Sequence, residues 1–160
     1  MHKYTICFIQ RGNDVLLLNR SYSPNMGLWN GVGGKLDAGE TPEQGILREV
    51  MEETGILLSA VSYRGTVTWK SDHEDWGGMY MYTAQMPDIP YVTPQGAEEG
   101  ILDWKPIAWV LDPENDGVVS NIRHFLPHAL AGRVMEHTCH YDGNQLVSVA
   151  SIALQHTGAE

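Results

Sequence analysis

The chain has 160 residues, 20 acids against 10 bases, and a formal net charge of −10. That balance excludes binding a nucleic-acid polymer through a basic groove, though not a single nucleotide brought in with metal ions. The length suits one domain with a sizeable core, and 42% hydrophobic with 19% charged residues is an ordinary globular composition.

Tyr4 to Gln10 (YTICFIQ) predicts a first strand, rich in β-branched and aromatic residues. Arg11-Gly12-Asn13-Asp14 reads as a hairpin turn, and Val15 to Asn19 as a second strand whose unbroken VLLL calls for burial on both faces. Ser21 to Leu28 is a loop marked by Ser23-Pro24-Asn25 and Gly27. Then comes Trp29-Asn30-Gly31-Val32-Gly33-Gly34-Lys35, counted as a third strand, whose glycines let the backbone approach a ligand closely. Elsewhere such a run would read as a flexible turn. Here it leads directly into a stretch dense in carboxylates.

Gly34 to Ile56 reads GKLDAGETPEQGILREVMEETGI. Thr41 can cap a helix, Pro42 suits its first position, and Gln44 stands where a capping-box partner belongs. Gly55 suits a left-handed stop. A helix is therefore predicted from Pro42 to Thr54. At about 100° per residue, Ile46, Leu47, Val50 and Thr54 share one side, which should pack on the sheet. Glu49, Glu52 and Glu53 share the opposite side, with Arg48 beside Glu52. Like charges at these spacings repel, so the acidic face makes sense when divalent cations neutralise it. All-oxygen ligands favour Mg²⁺ or Mn²⁺ over zinc.

Beyond the helix, Ser59 to Lys70 predicts a strand bent at Gly65, then a polar loop from Ser71 to Gly78 and a strand from Met79 to Met86. His73, Glu74 and Asp75 in that loop could form a metal cluster, but a solvated loop is the simpler reading; Trp76 could cover a bound substrate. Pro87 to Gly96 is a Pro-rich loop with a turn at Pro94-Gln95-Gly96. Glu98 and Glu99 precede a strand from Ile101 to Val110. A turn over Leu111 to Asp116 leads to a helix from about Val118 to Ala131, interrupted or kinked at Pro127 and stopped by Gly132. His137 to Tyr141 and Gln145 to Ala153 form a closing hairpin around Asp142-Gly143-Asn144.

Cys7 and Cys139 match no metal-ligand spacing and read as structural thiols in a reducing compartment. Tyr4 to Ile9 is too short for a signal peptide and no stretch approaches a membrane span, so a cytoplasmic protein is expected. No HExxH, phosphate-loop or GxSxG pattern occurs.

The spacing Gly34, five residues, Glu40, seven residues, Arg48-Glu49-Val50, one residue, Glu52-Glu53, one residue, Gly55-Ile56 resembles the Nudix box without a departure. The resemblance implies a Nudix fold, α/β (α+β) with a mixed sheet sandwiched between helices, in one domain over residues 1–160. It implies hydrolysis of nucleoside diphosphates linked to another group, with Mg²⁺ or Mn²⁺ as cofactor. Carried over residue by residue, Glu52 and Glu53 ligate metal, with the Gly33 carbonyl and Glu99 completing the shell and Glu98 as the fallback. Glu49 ligates metal or takes the proton from water, with Glu99 the rival base. Arg48 orients the acids by pairing with Glu40 or Glu52.

The WNGxGGK segment is similar to triphosphate-directed members of the MutT type, which makes Asn30 and Lys35 substrate-binding candidates. Asn121, alone a surface residue by type, holds a position where such members place an Asn or Asp against the base. The final hairpin is loosely similar to 8-oxo-dGTP diphosphatases. Members directed to ADP-ribose often carry a Pro past the box where this chain has Trp69-Lys70-Ser71. Three functions follow: a nucleoside triphosphate pyrophosphohydrolase; the same chemistry on ADP-ribose or a dinucleoside polyphosphate; or a non-catalytic nucleotide sensor. The partner in each case is a small nucleotide, not a nucleic-acid polymer or a membrane.

Overall fold

The computed structural model describes residues 2–72 and 75–154, with the backbone alone at 75 and 76. Its centre is a mixed sheet. Strand β1 (Tyr4–Arg11) pairs antiparallel with β2 (Asp14–Arg20) through the expected turn, and parallel with β6 (Asp75–Gln85). β6 pairs with β5 (Ser62–Ser71), and β5 runs parallel to β9 (Met135–Asp142), which forms a hairpin with β10 (Gln145–Ala153). On the other side, β2 pairs with β8 (Gly100–Pro106), which carries β7 (Gln95–Ala97). The order is β10-β9-β5-β6-β1-β2-β8-β7.

Helices cover both faces, because the central strands are apolar on both. In β2, Val15 and Leu17 join one core and Leu16 and Leu18 the other. In β1, Ile6 and Phe8 face one way, Cys7 and Ile9 the other. Helix α1 (Pro42–Thr54) seals one face with Ile46 and Val50, both fully buried, and with Leu47 partly so. Helices α2 (Ile107–Leu111) and α3 (Ile122–Leu130) seal the other with Val110, Ile122, Phe125 and Leu126. No described helix is long and apolar enough to cross a membrane.

Helix α1 begins and ends as its residues dictate. The Gln44 N–H donates to Thr41 Oγ1 at 3.2 Å and the Thr41 N–H to Gln44 Oε1 at 3.0 Å, a closed capping box. Gly55 turns left-handed at φ 75° and donates to the Met51 carbonyl.

Elsewhere the structure corrects the expected elements. The glycine-rich third strand is two: β3 (Trp29–Asn30) pairs with β2 and β4 (Val32–Lys35) pairs with β1. Gly31 makes the change of partner, where a Cβ would stand 2.9 Å from both Ile6 and Phe8. β6 starts at Asp75, so the hairpin with β5 reaches further than Met79. Gly65 does bend β5: the register slips between Tyr63 and Gly65, and a Cβ there would collide with the Met135 carbonyl. Gln95–Ala97 is strand rather than turn, and Glu98-Glu99 make the tight connection. The strand from Ile101 stops at Pro106, which caps α2. α3 starts only at Ile122, because Val118 is bridged to Trp29. It runs through Pro127 without dividing.

Candidate active site

Three elements meet at an acidic cavity of about 300 Å³. Its wall comprises Glu49, Glu52 and Glu53 from α1, Ala97, Glu98 and Glu99 from the β7–β8 connection, and Tyr22 from the loop after β2. So α1 brings its acids to the fourth carboxylate expected from sequence, and Glu98 stands there as well. The connection is held against β2: the Ser21 N–H donates to the Glu99 carbonyl at 2.8 Å, and Arg20 lies 3.9 Å from the Glu99 carboxylate. At Gly100 a Cβ would lie 1.8 Å from the Asn19 carbonyl, so only glycine allows this approach.

Glu53 is the innermost acid. Its Oε1 accepts from the Gly33 N–H at 3.1 Å, which ties α1 to β4. Its Oε2 is buried with no hydrogen-bond partner among the described residues. Burial, then the charge of Glu99, push the Glu53 carboxyl up to about 8, against the opposing Gly33 N–H. Burial also raises Glu49, although Arg48 pulls the other way. Gly34 lies directly beneath Glu49, and a Cβ there would be 2.6 Å from its carboxyl carbon.

Arg48 is the organiser of the acids. Its guanidinium grips both Glu40 oxygens, at 2.7 and 3.0 Å. It also donates to Glu49 and Glu52, each at 3.1 Å, and to the Lys35 carbonyl at 3.1 Å. That fork holds the Glu40 carboxyl down at about 2. Arg48 therefore pairs with both acids expected of it, and with Glu49 besides.

The substrate candidates lie apart from the acid wall. Lys35 ends β4 with an exposed side chain, and its carbonyl is the atom that Arg48 uses. Asn30 turns its own Oδ1 onto the Gly31 N–H at 2.9 Å. Asn121 is buried just before α3, with its Nδ2 donating to the Tyr141 hydroxyl at 3.3 Å. The segments of Asn30 and Asn121 run side by side, for the Val119 N–H donates to the Trp29 carbonyl at 3.0 Å. The suggested His73, Glu74 and Asp75 cluster and the Trp76 cover lie outside the described residues and side chains. Tyr22 was not singled out in the sequence. Its one signal was an aromatic residue in a Pro- and Gly-marked loop.

The donor set can be tested against a divalent cation. Among the described residues no three His, Cys, Asp or Glu side chains already stand as a ligand cage. What stands there is a buried, unpartnered carboxylate oxygen beside a cavity lined by further carboxylates. Such a group is costly unless a proton or a cation neutralises it. All-oxygen donors of this kind suit Mg²⁺ or Mn²⁺, so the residues fit the ion.

This fold and this wall of acids carried on one capped helix define a known class. A profile of the NUDIX domain matches residues 1–129, and the chain belongs to the Nudix family. Among curated relatives, it is 44% identical over 66 residues to an NAD-capped RNA hydrolase NudC of Haemophilus influenzae, covering 40% of this chain and 25% of the relative. The chain thus spans about a quarter of that relative's length. It is 28% identical over 142 residues to the Nudix hydrolase YvcI of Bacillus subtilis, covering 86% and 84%. An oxidized purine nucleoside triphosphate hydrolase of Mus musculus is 34% identical over 67 residues, covering 42% and 43%. Among solved structures, a MutT protein from Bacillus halodurans superposes with a TM-score of 0.75 at 25% identity, covering 94% of this chain and 97% of that one. The NUDIX domain of Shewanella oneidensis NrtR, solved with ADP ribose, gives 0.59 at 26% identity, covering 79% and 84%.

Proposed function

We propose that this protein is a divalent-cation-dependent pyrophosphohydrolase that converts a nucleoside triphosphate to the monophosphate and pyrophosphate, with an oxidised purine nucleotide such as 8-oxo-dGTP as the preferred class. One observation carries the reading: the buried Glu53 oxygen without a donor, set among Glu49, Glu52 and Glu99 on one cavity. Glu52, Glu53, Glu99 and the Gly33 carbonyl would hold Mg²⁺ or Mn²⁺. The chemistry such an ion would supply is neutralisation of the acids, stabilisation of charge on phosphoryl oxygens and a lowered pKa of water.

The chain's own part is placement. Arg48 holds Glu49 and Glu52 at fixed orientation, and the Gly33 N–H fixes Glu53. Glu49 ligates or accepts the proton of the attacking water, and Glu99 is the rival base. Asn30, Lys35 and Asn121 contact the nucleotide. The adjacency of the Asn30 and Asn121 segments supports a base-reading role, and the likeness to the mouse enzyme supports a purine nucleoside triphosphate as substrate. A second reading, the same chemistry on a dinucleotide or ADP-ribose, is favoured by the likeness to NudC and to the ADP-ribose-bound domain.

A panel of dGTP, 8-oxo-dGTP, ADP-ribose, NAD and a dinucleoside tetraphosphate, each with Mg²⁺ or Mn²⁺ and scored by kcat/KM, separates the two. An oxidised purine triphosphate should lead. ADP-ribose or NAD ahead of every triphosphate would select the second reading. Glu53→Gln should lose at least about two orders of magnitude in kcat, on the scale of other electrostatic stabilisers, while its circular dichroism stays native. Undiminished turnover would remove Glu53 from the chemistry.

A further inference from the structure

One piece of chain touches both acid walls of the cavity. After β6, residues 87–94 run outside the sheet as a strap, then return as β7, which leads into Glu98-Glu99. On the way the Tyr91 hydroxyl donates to the Thr54 carbonyl at 2.5 Å. Thr54 is the last residue of α1, and its carbonyl is one of those that no helical N–H can reach. The ring carrying this hydroxyl is held in place. It packs on the core that α1 covers and meets Trp104 edge-on, with 6.4 Å between ring centres. Further along, Thr93 Oγ1 donates to Asp103 Oδ1 at 2.7 Å, and the same oxygen accepts the Trp104 N–H at 2.9 Å. The strap is thus fixed to β8 and, through one hydroxyl, to the end of α1.

We propose that Tyr91 is a positioning residue for the acids of the site: its hydroxyl holds the last turn of α1, and with it Glu52 and Glu53, at the separation from Glu98-Glu99 that a shared divalent cation requires. The inference rests on the cation-dependent reading of the site. That last turn needs a tether for two reasons. Its acids repel one another and the acids across the cavity. It is also a helix end, where backbone frays first. Arg48 and the Gly33 N–H orient the carboxylates of Glu52 and Glu53, but those contacts come from α1 itself and from β4. Neither involves the strap that leads to the opposite wall. Tyr91 does, and it grips backbone, so it sets where the turn stands and not merely how one carboxylate points. A group that orients ligands without touching the ion acts on affinity in this way.

The test is Mn²⁺ binding to the whole chain without nucleotide, read from the paramagnetic resonance signal of the free ion, so that it does not depend on turnover. Tyr91→Phe removes the hydroxyl and keeps the ring against Trp104, so native circular dichroism should persist. Its dissociation constant for Mn²⁺ should rise roughly tenfold, the lower end of the usual cost of loosening a group that orients ligands. Thr41→Ala is the control, because it takes one hydrogen bond from the opposite end of the same helix. It should bind Mn²⁺ as the wild type does. Wild-type affinity in Tyr91→Phe would overturn the proposal and leave the cation-dependent reading standing. An equal loss in Thr41→Ala would also overturn it, since the effect would then be a general loosening of α1. A wild type that takes up no Mn²⁺ would overturn the cation-dependent reading itself, and this proposal with it.

Discussion

Arg48 shows how much one side chain can fix. It reaches both oxygens of Glu40, one oxygen each of Glu49 and Glu52, and the Lys35 carbonyl. Only a planar fork with five donors can do this, so lysine is not a conservative replacement. Arg48→Lys keeps the charge but frees Glu49 and Glu52. Activity or apparent metal affinity should fall roughly 10–100-fold, the usual cost of loosening a group that orients ligands. Titration of turnover against Mg²⁺ reads this directly, and an unchanged curve would mean that the acids hold themselves. The Arg48–Glu52 pairing was legible in the sequence because four residues make one helical step. The place of Tyr22 was not. It reaches the cavity wall from a loop whose path depends on the bond from Ser21 to the Glu99 carbonyl, a contact between segments far apart in sequence. Asn121 was legible as a candidate, but its burial against Tyr141 depends on where α3 begins.

At the scale of elements, α1 was readable from end to end. It has an apolar stripe of helical period, a cap, a proline at the start and a glycine at the end, all agreeing. The cap is separable from the chemistry. Thr41→Ala removes one half of the capping box and should cost about 1 kcal/mol in a urea melt while kcat changes little. A large loss of kcat would show that the register of the acids depends on how the helix starts. Elements that went unread have weak local signals overruled by neighbours. Ile107–Leu111 is rich in residues that favour strands, yet Pro106 closes the ladder with β2 and the chain turns to bury Val110 as helix. Gln95–Ala97 is strand only because β8 lies beside it. The glycine run was seen as one strand because nothing local reveals that Gly31 hands the chain from β2 to β1.

Over the whole molecule, several shifted groups tie stability to pH, and His137 is one whose part can be separated from the site. His137 on β9 is fully buried, with its Nδ1 2.7 Å from Ser151 Oγ on β10 and its Nε2 without a partner among the described residues. Phe125 and His128 of α3 close over it, with ring centres 5.9 and 5.6 Å away. Burial, and secondarily the nearby His128, hold His137 down at about 4, against about 6.5 in an unfolded chain. Above pH 6.5 the imidazole is neutral in both states and costs nothing. Between about 6.5 and 4 the unfolded chain takes up a proton that the folded chain refuses at this site, so the contribution of His137 to folding stability falls as pH falls. Below about 4 both forms are protonated and the loss levels off. The full window amounts to at most about 3 kcal/mol. Glu53, held up at about 8, pulls the other way over the same range, so the readout is a difference: in urea melts from pH 7.5 to 4 the wild type should lose stability relative to His137→Gln, whatever the two stabilities at pH 7.5. An equal slope in the two proteins would assign the pH dependence to other groups and leave His137 a packing residue.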